Sequence, residues 1–157
     1  MRTSGLMLAA LSLTACAPYR FVAPPPQVCQ APAPDDILGQ WTLERIDGQA
    51  WRGAEITLAA EETALWGQLS CNGYGTAAGE GDRPEHYLID DGRLVLNGDI
   101  VLTAKLCEDP AQMELEEQMV DLLYGSPMVS RNGDVMCLFT EDGMALEFRA
   151  ADPAAAN

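Results

Sequence analysis

The sequence has little positive charge and a single histidine. Nine lysines and arginines stand against 24 aspartates and glutamates, giving a formal net charge of −15 over 157 residues. Such a chain repels nucleic-acid phosphates and anionic headgroups, so we expect no nucleic-acid partner. A serine triad has His86 as its one candidate base, and no Gly-x-Ser-x-Gly motif accompanies it. We therefore expect a protein that is not an enzyme.

The chain also lacks the spacings of common metal and cofactor sites. It has no Cys-x-x-Cys pair for zinc, and Asp90-Asp91-Gly92 does not continue into an EF-hand loop. The glycines between residues 73 and 81 do not follow the phosphate-loop spacing. Carboxylates are so abundant that Glu61-Glu62, in a turn, and Glu116-Glu117, on the expected wet face of a helix, indicate nothing catalytic. We expect no catalytic residue, no metal and no cofactor.

No apolar run is long enough to span a bilayer. A short run from Gly5 to Leu13 follows Arg2 and ends in Leu13-Thr14-Ala15-Cys16, which resembles a bacterial lipobox. Residues 1–15 are thus predicted to be a lipoprotein signal peptide, with acyl chains on Cys16 as the membrane anchor. An ordinary secretory signal with a chance cysteine is the alternative.

The expected membrane follows from the residue after the lipobox. Ala17, in place of an aspartate, favours the outer membrane in a Gram-negative cell, with the domain facing the periplasm. In a Gram-positive cell the anchor would lie in the plasma membrane.

Composition divides the mature chain into three parts. Residues 16–36 are proline-rich and predict a stiff tether, although Cys29 within it indicates that part is pinned to the domain. Residues 37–149 are long enough for one small domain. Residues 150–157 are small and polar and predict a disordered tail.

Most of the domain has the alternation and turn pairs of antiparallel β-structure. A strand is predicted over Gly39–Ile46, followed by a hairpin between residues 54 and 73. The remaining predicted strands are His86–Ile89, Gly92–Leu96, Ile100–Thr103, Met128–Ser130, Val135–Thr140 and Met144–Phe148.

One segment has the period of an amphipathic helix instead. Leu115, Met119, Leu122 and Leu123 recur at spacings of three and four. Asp109 is a natural N-cap, with Pro110 at the first helical position and Gln112 placed to complete a capping box. Gly125 and Pro127 end the helix. The predicted fold is α+β: a small, mostly antiparallel curled sheet or partial barrel, with one helix before the last three strands.

An ordered set of motifs resembles the META domain family, which includes the heat-shock protein HslJ of bacterial envelopes. The resemblance covers roughly residues 37–149. Its motifs are Gly39-x-Trp41-x-Leu43-x-x-Ile46-x-Gly48, Gly67-x-x-x-Cys71-Asn72-x-Tyr74, Thr103-x-x-x-Cys107, the helix with Glu114 and Leu122-Leu123, and Leu138…Asp142-Gly143-x-x-Leu146-x-Phe148.

Two of these motifs depart from the family pattern. Ser70 stands where the family usually has glycine, and Thr103-Ala104-Lys105-Leu106-Cys107 replaces the common Thr-Arg-Met-x-Cys. Lys105 lies where it preserves a positive charge near the missing arginine. The resemblance implies an envelope or secreted location, no established enzymatic activity, and a link to stress tolerance and antibiotic resistance.

Cys16 apart, the chain has four cysteines, and an even number in an exported domain predicts two disulfides. The residues alone leave three connectivities open, with free or redox-active thiols as the alternative. The family resemblance favours Cys71–Cys107, since both belong to its motifs, which leaves Cys29–Cys137.

The motif residues are expected to be structural. Trp41 is interpreted as core, and a lipocalin-like ligand contact is the alternative. Asn72 and Gly73 suit a tight turn with positive φ, which Cys71 would anchor. Together these points predict a monomeric, non-enzymatic envelope lipoprotein acting through an unidentified contact. The alternatives are a lipocalin-like carrier of a lipophilic ligand, and an inhibitor or binding module for an envelope protease, whose exposed loop from Thr76 to Glu85 would enter the protease cleft.

Overall fold

The computed structural model describes residues 25–77 and 85–151. The predicted signal peptide, Cys16 and most of the loop after Thr76 lie outside the described residues. No helix in the described part is both long enough and apolar enough to cross a membrane.

The described residues form eleven strands and one α-helix, preceded by a short 3-10 turn at Gln27–Gln30. The strands are β1 (Gly39–Ile46), β2 (Gln49–Ala50), β3 (Ile56–Ala60), β4 (Leu65–Leu69), β5 (Asn72–Thr76), β6 (Tyr87–Asp90), β7 (Arg93–Leu96), β8 (Ile100–Leu102), β9 (Met128–Asn132), β10 (Val135–Phe139) and β11 (Ala145–Ala150). The helix α1 spans Pro110–Tyr124.

All strands join one antiparallel sheet in the order β6-β7-β9-β10-β11-β1-β3-β4-β5-β8, with β2 paired to β1. The sheet curls into a half-barrel, which confirms the predicted fold class. Its two halves approach each other, because β6 reaches the turn between β3 and β4: Tyr87 Oη donates to Glu61 O at 2.7 Å, and His86 N donates to Thr63 O at 2.7 Å.

The helix bridges the curled sheet. It contacts β7, near one end of the strand order, and β4, near the other. Met119, Leu122 and Leu123 are buried, as their spacing predicted. Asp109 is the N-cap, but its side chain accepts from Ala111 N at 2.9 Å while Gln112 N donates to the Asp109 backbone oxygen. The predicted capping box is therefore replaced by a simple cap.

Asp-Gly turn pairs fix two tight turns as the sequence indicated. Asp47-Gly48 has φ values of 51° and 74°, and Asp91-Gly92 has 46° and 73°. Positive φ at both central residues is the type I′ geometry, whose twist matches that of paired strands.

The packed part of the chain extends beyond residues 37 and 149, and at the N-terminal end it includes Cys29, as the cysteine in the tether indicated. Cys29 is buried, and Ser130 Oγ donates to its backbone oxygen at 2.8 Å, so the second half of the predicted tether packs on β9 and β10. At the other end, Ala150 pairs with Trp41 in the sheet and does not begin a tail. Strands β2 and β5 were not predicted, because β2 has only two residues and β5 begins directly after its turn, at residues that were assigned to the turn itself.

Gly67 in β4 is a position where no side chain fits. A Cβ atom there would lie 2.1 Å from the Thr57 backbone oxygen and 2.9 Å from Tyr74 Cε1. Tyr74 is paired with Gly67 across the sheet and covers it. The glycine of this motif thus serves packing within the sheet.

Trp41 lies at the centre of the core, as predicted. It is 1% exposed, its indole Nε1 donates to Ile37 O at 2.8 Å, and the Arg131 guanidinium lies 4.9 Å from its ring centroid. This arrangement uses both the polar and the apolar parts of the side chain inside the protein.

We expect Trp41→Ala to lower the free energy of unfolding by about 3–5 kcal/mol, the range for deleting a large buried aromatic residue. Trp66→Ala is the matched control, because Trp66 is 45% exposed, and it should cost less than about 1 kcal/mol. Chemical denaturation followed by circular dichroism measures both. Equal losses in the two variants would contradict the core assignment.

Candidate functional site

The two family cysteines are joined where the β4–β5 turn meets the segment before α1. Cys71 is bonded to Cys107 with a Cα–Cα distance of 5.8 Å, and Cys29 is bonded to Cys137 with 5.3 Å. The structure thus has both expected disulfides. The first ties the start of β5 to the approach of the helix, and the second ties the N-terminal segment to β10.

Asn72 is the centre of the site. Its Oδ1 accepts from Thr103 Oγ1 at 2.9 Å and from Lys105 N at 2.8 Å, while its Nδ2 donates to Lys105 O at 3.0 Å. Asn72 Nδ2 also donates to Glu116 Oε2 at 2.7 Å. All four hydrogen-bonding positions of the amide are therefore used inside the protein.

Glu116 completes the site from the helix. It is 8% exposed, and its Oε1 accepts from Cys71 N at 2.8 Å and from Asn72 N at 2.7 Å. With the bond to Asn72 Nδ2, three N–H groups converge on one buried carboxylate. Burying a charge is costly unless hydrogen bonds replace its water, and here they do. We call these groups the Asn72 cluster: Asn72, Thr103, Lys105, Glu116 and the Cys71–Cys107 disulfide.

The sequence missed Glu116 and placed it on the wet face of the helix, which is wrong. Glu116 lies three residues before Met119 and seven before Leu123, so it shares their buried face. A carboxylate at a position with core periodicity was the signal available. The motif glutamate Glu114 is exposed and makes none of these hydrogen bonds.

The tight turn lies two residues earlier than predicted. Leu69 pairs with Asn72, so the turn residues are Ser70 and Cys71, while Asn72 and Gly73 belong to β5. Only Ser70 of the pair has a positive φ, 59°. Positive φ at the first central residue alone is typical of a type II′ turn, which favours glycine there. This geometry gives a physical reason for the glycine that the family usually has at the Ser70 position.

Three groups of the cluster have the composition of a metal site. One ligand atom each from Cys71, Cys107 and Glu116 lies within 4.8 Å of the others. The two sulfurs are bonded to each other, however, and only a thiolate is a good metal ligand. The carboxylate oxygens are already occupied by N–H donors. In its oxidised form this arrangement is suited to holding β4, β5 and α1 together.

Trp41 and His86 lie outside the cluster, and Lys105 belongs to it through its backbone. Trp41 belongs to the core. His86 Nδ1 is 3.0 Å from Thr76 O, in contact with the end of β5. Lys105 enters the cluster through its backbone N–H and C=O. Because the Lys105 side chain makes none of these hydrogen bonds, the cluster can form with lysine where the family commonly has methionine.

We expect Asn72→Asp to lower the free energy of unfolding by about 3–5 kcal/mol at pH 7, because it sets a second carboxylate against Glu116. Two carboxyls sharing one site bind a proton more tightly when folded than when unfolded. The penalty should therefore be full at neutral pH and shrink as the pH falls toward about 4, the ordinary carboxyl value.

Unfolding of wild type, Asn72→Asp and Asn72→Ala at several pH values measures this effect. The alanine variant is the control, since it loses the hydrogen bonds without adding a charge. A deficit for Asn72→Asp, relative to Asn72→Ala, that does not change with pH would contradict the proximity of the two carboxyls.

Ser70→Gly should stabilise the protein by about 1 kcal/mol. The left-handed conformation costs a residue with a Cβ roughly 1–2 kcal/mol, and the buried Ser70 hydroxyl has no hydrogen-bond partner among the described residues. The greater chain entropy of unfolded glycine offsets part of the gain. Ser70→Ala, which removes only the hydroxyl, should gain less. Thermal melts rank the three proteins, and a glycine variant less stable than wild type would refute the strained turn.

Comparisons with known proteins agree with this geometry. The META domain model matches residues 35–153. An NMR structure is 21% identical with a TM-score of 0.55, over 76% of this chain and 92% of its own. A second NMR structure, of a protein from Burkholderia xenovorans, is 22% identical with a TM-score of 0.55. The match covers 72% of this chain and 81% of the Burkholderia chain. These two show the fold alone, and a search of curated proteins finds no match.

The family match spans well over half of the chain. It includes every residue of the Asn72 cluster and both strands of the turn that carries it. The chain belongs to the META domain family.

Proposed function

We propose that this protein is a non-enzymatic lipoprotein of the outer membrane, with its META domain in the periplasm, and that it contributes to envelope stress tolerance by contacting another envelope protein. The observation that carries the proposal is that the side-chain amide of Asn72 makes all its hydrogen bonds within the domain. Asn72 belongs to a family motif, and Thr103, Lys105 and Glu116 occupy all four hydrogen-bonding positions of its amide. A motif engaged in this way stabilises a scaffold and presents no nucleophile to a substrate.

The anchor is supported by the sequence before the domain. The lipobox residues Leu13 to Cys16 follow a short apolar run, and two or more acyl chains on one cysteine give firm membrane attachment. The two disulfides of the domain favour an oxidising compartment. A periplasmic domain held by lipid at Cys16 satisfies both.

The stress role is supported by the family. The META resemblance implies a link to stress tolerance and antibiotic resistance without assigning a reaction. A domain with two disulfides tolerates unfolding conditions well, since each disulfide restricts the unfolded state. Binding, with the domain as a stable platform, is the mode of action that fits these properties.

We expect Cys16→Ala to move the protein from the membrane fraction to the soluble periplasmic fraction, because the acylated side chain is lost. Ala17→Asp is the matched control: it keeps Cys16 and should keep the protein membrane-bound, but in the inner membrane. Fractionation of a Gram-negative host with immunodetection measures both. Membrane retention of an exported Cys16→Ala protein would contradict the anchor.

The same strains test the function. A deletion strain should survive envelope stress, such as heat or a cell-wall antibiotic, less well than its parent. Wild type should restore survival and Ala17→Asp should not, if action at the outer membrane is required. Unchanged survival of the deletion strain across such stresses would contradict the stress role.

A further inference from the structure

A groove of about 460 Å³ lies between α1 and the edge of the sheet, beside the Asn72 cluster. Its apolar surface comes from Leu102 of β8 and from Met113 and Val120 of α1. Leu102 and Met113 are both more than 40% exposed, and the neighbouring Leu106 is 88% exposed. A small domain with so modest a core gains nothing from leaving these side chains in water, so an exposed apolar patch of this kind indicates a contact surface.

The strand that borders the groove is the last of the sheet. Thr103 N donates to Gly73 O, and Ala77 N donates to Asp99 O, so residues 99, 101 and 103 direct their backbone groups toward β5. In an antiparallel pair the residues between these, here 100 and 102, direct their N–H and C=O groups away from the paired strand. Ile100 N does so and donates to Tyr124 Oη of α1 at 2.9 Å. The N–H and C=O of Leu102 therefore point away from β5, on the side of α1.

The rim of the groove is acidic. Glu114, Glu117 and Asp121 line it from the exposed face of α1, and Lys105 is the single cation in the lining. The chain as a whole carries −15. A second copy of the chain would bring the same charge to this face, and an anionic lipid surface would be repelled as well. Charge complementarity therefore selects a basic occupant.

We propose that the groove binds an extended, basic segment of another envelope protein, in which lysine or arginine alternates with apolar residues. An extended segment offers backbone groups to Leu102 and presents alternate side chains to opposite faces. Its apolar side chains pack on Leu102, Met113 and Val120, and its cationic side chains meet Glu114, Glu117 and Asp121. This inference deepens the proposed function, on which it rests for the location of the partner.

The binding itself is tested with the non-lipidated mature chain from residue 17. The probe is a fluorescein-labelled octapeptide of alternating lysine and leucine, with a glutamate-leucine octapeptide for comparison, and anisotropy reports binding. We expect saturable binding of the basic peptide alone, and weakening as salt rises from about 50 to about 300 mM, because the rim charges are exposed to screening.

Two variants separate the parts of the groove. Glu117→Lys should weaken binding of the basic peptide about tenfold, because it reverses a charge at the rim. Met113→Ser should also weaken binding, because it removes apolar surface from the groove without changing the charge. Glu55→Lys is the matched control, since Glu55 is also exposed, lies before β3 and does not line the groove. It changes the net charge equally and should leave the affinity within about twofold. Unchanged melting temperatures show that the variants remain folded.

Several results would overturn the proposal. Equal weakening by Glu117→Lys and Glu55→Lys would reduce the binding to net charge, and equal affinity for the acidic peptide would remove the role of the rim. Dimerisation of the chain that Met113→Ser abolishes would assign the groove to a second copy. Absence of peptide binding would reject the groove proposal and leave the lipid anchor standing. Membrane retention of Cys16→Ala would reject the anchor and leave the groove proposal standing.

Discussion

The fold depends on how one buried carboxylate is satisfied. Glu116 projects from α1 into the sheet, and three N–H groups from Cys71 and Asn72 replace the water it has lost. Two of those groups belong to the backbone of the β4–β5 hairpin, so the helix can dock in one position only. A carboxylate displaced from these donors would be left buried without partners, which is a far larger penalty than the loss of one ordinary contact.

The same interaction sets the path of the chain before the helix. Asn72 holds the extended segment at Thr103 and Lys105, and the Cys71–Cys107 disulfide fixes that segment a few residues later. The helix thus begins where the sheet has already been tied to it. The second disulfide does the equivalent work at the opposite side, where it fixes the N-terminal segment on β10. A domain of this size has a modest core, and covalent restriction of the unfolded chain adds to its stability.

The division between the motif and the groove has a functional consequence. Asn72 and Glu116 border the groove but use their polar groups in hydrogen bonds within the cluster, whereas Met113, Glu114 and Glu117 of the groove are exposed. Lys105 belongs to both: Asn72 holds its backbone, and the residue also lines the groove. In the proposed mode of binding, exposed residues such as Met113 and Glu117 can change without disturbing the hydrogen bonds of the Asn72 cluster.

The sequence by itself determined the class of fold, the helix that Asp109 caps and Gly125 ends, the Asp-Gly turns and the burial of Trp41, because each depends on local periodicity or on the conformational preference of one or two residues. It also determined that two disulfides were to be expected, although their pairing came from the family resemblance. Only the tertiary structure decided that Glu116 is buried, that the tight turn is Ser70-Cys71, that the segment around Cys29 packs on β9 and β10, and that α1 and β8 enclose an acidic groove. These features depend on which distant segments meet, since 44 residues separate Asn72 from Glu116, and a carboxylate on a helix is buried or solvated according to the donors that the rest of the fold brings to it.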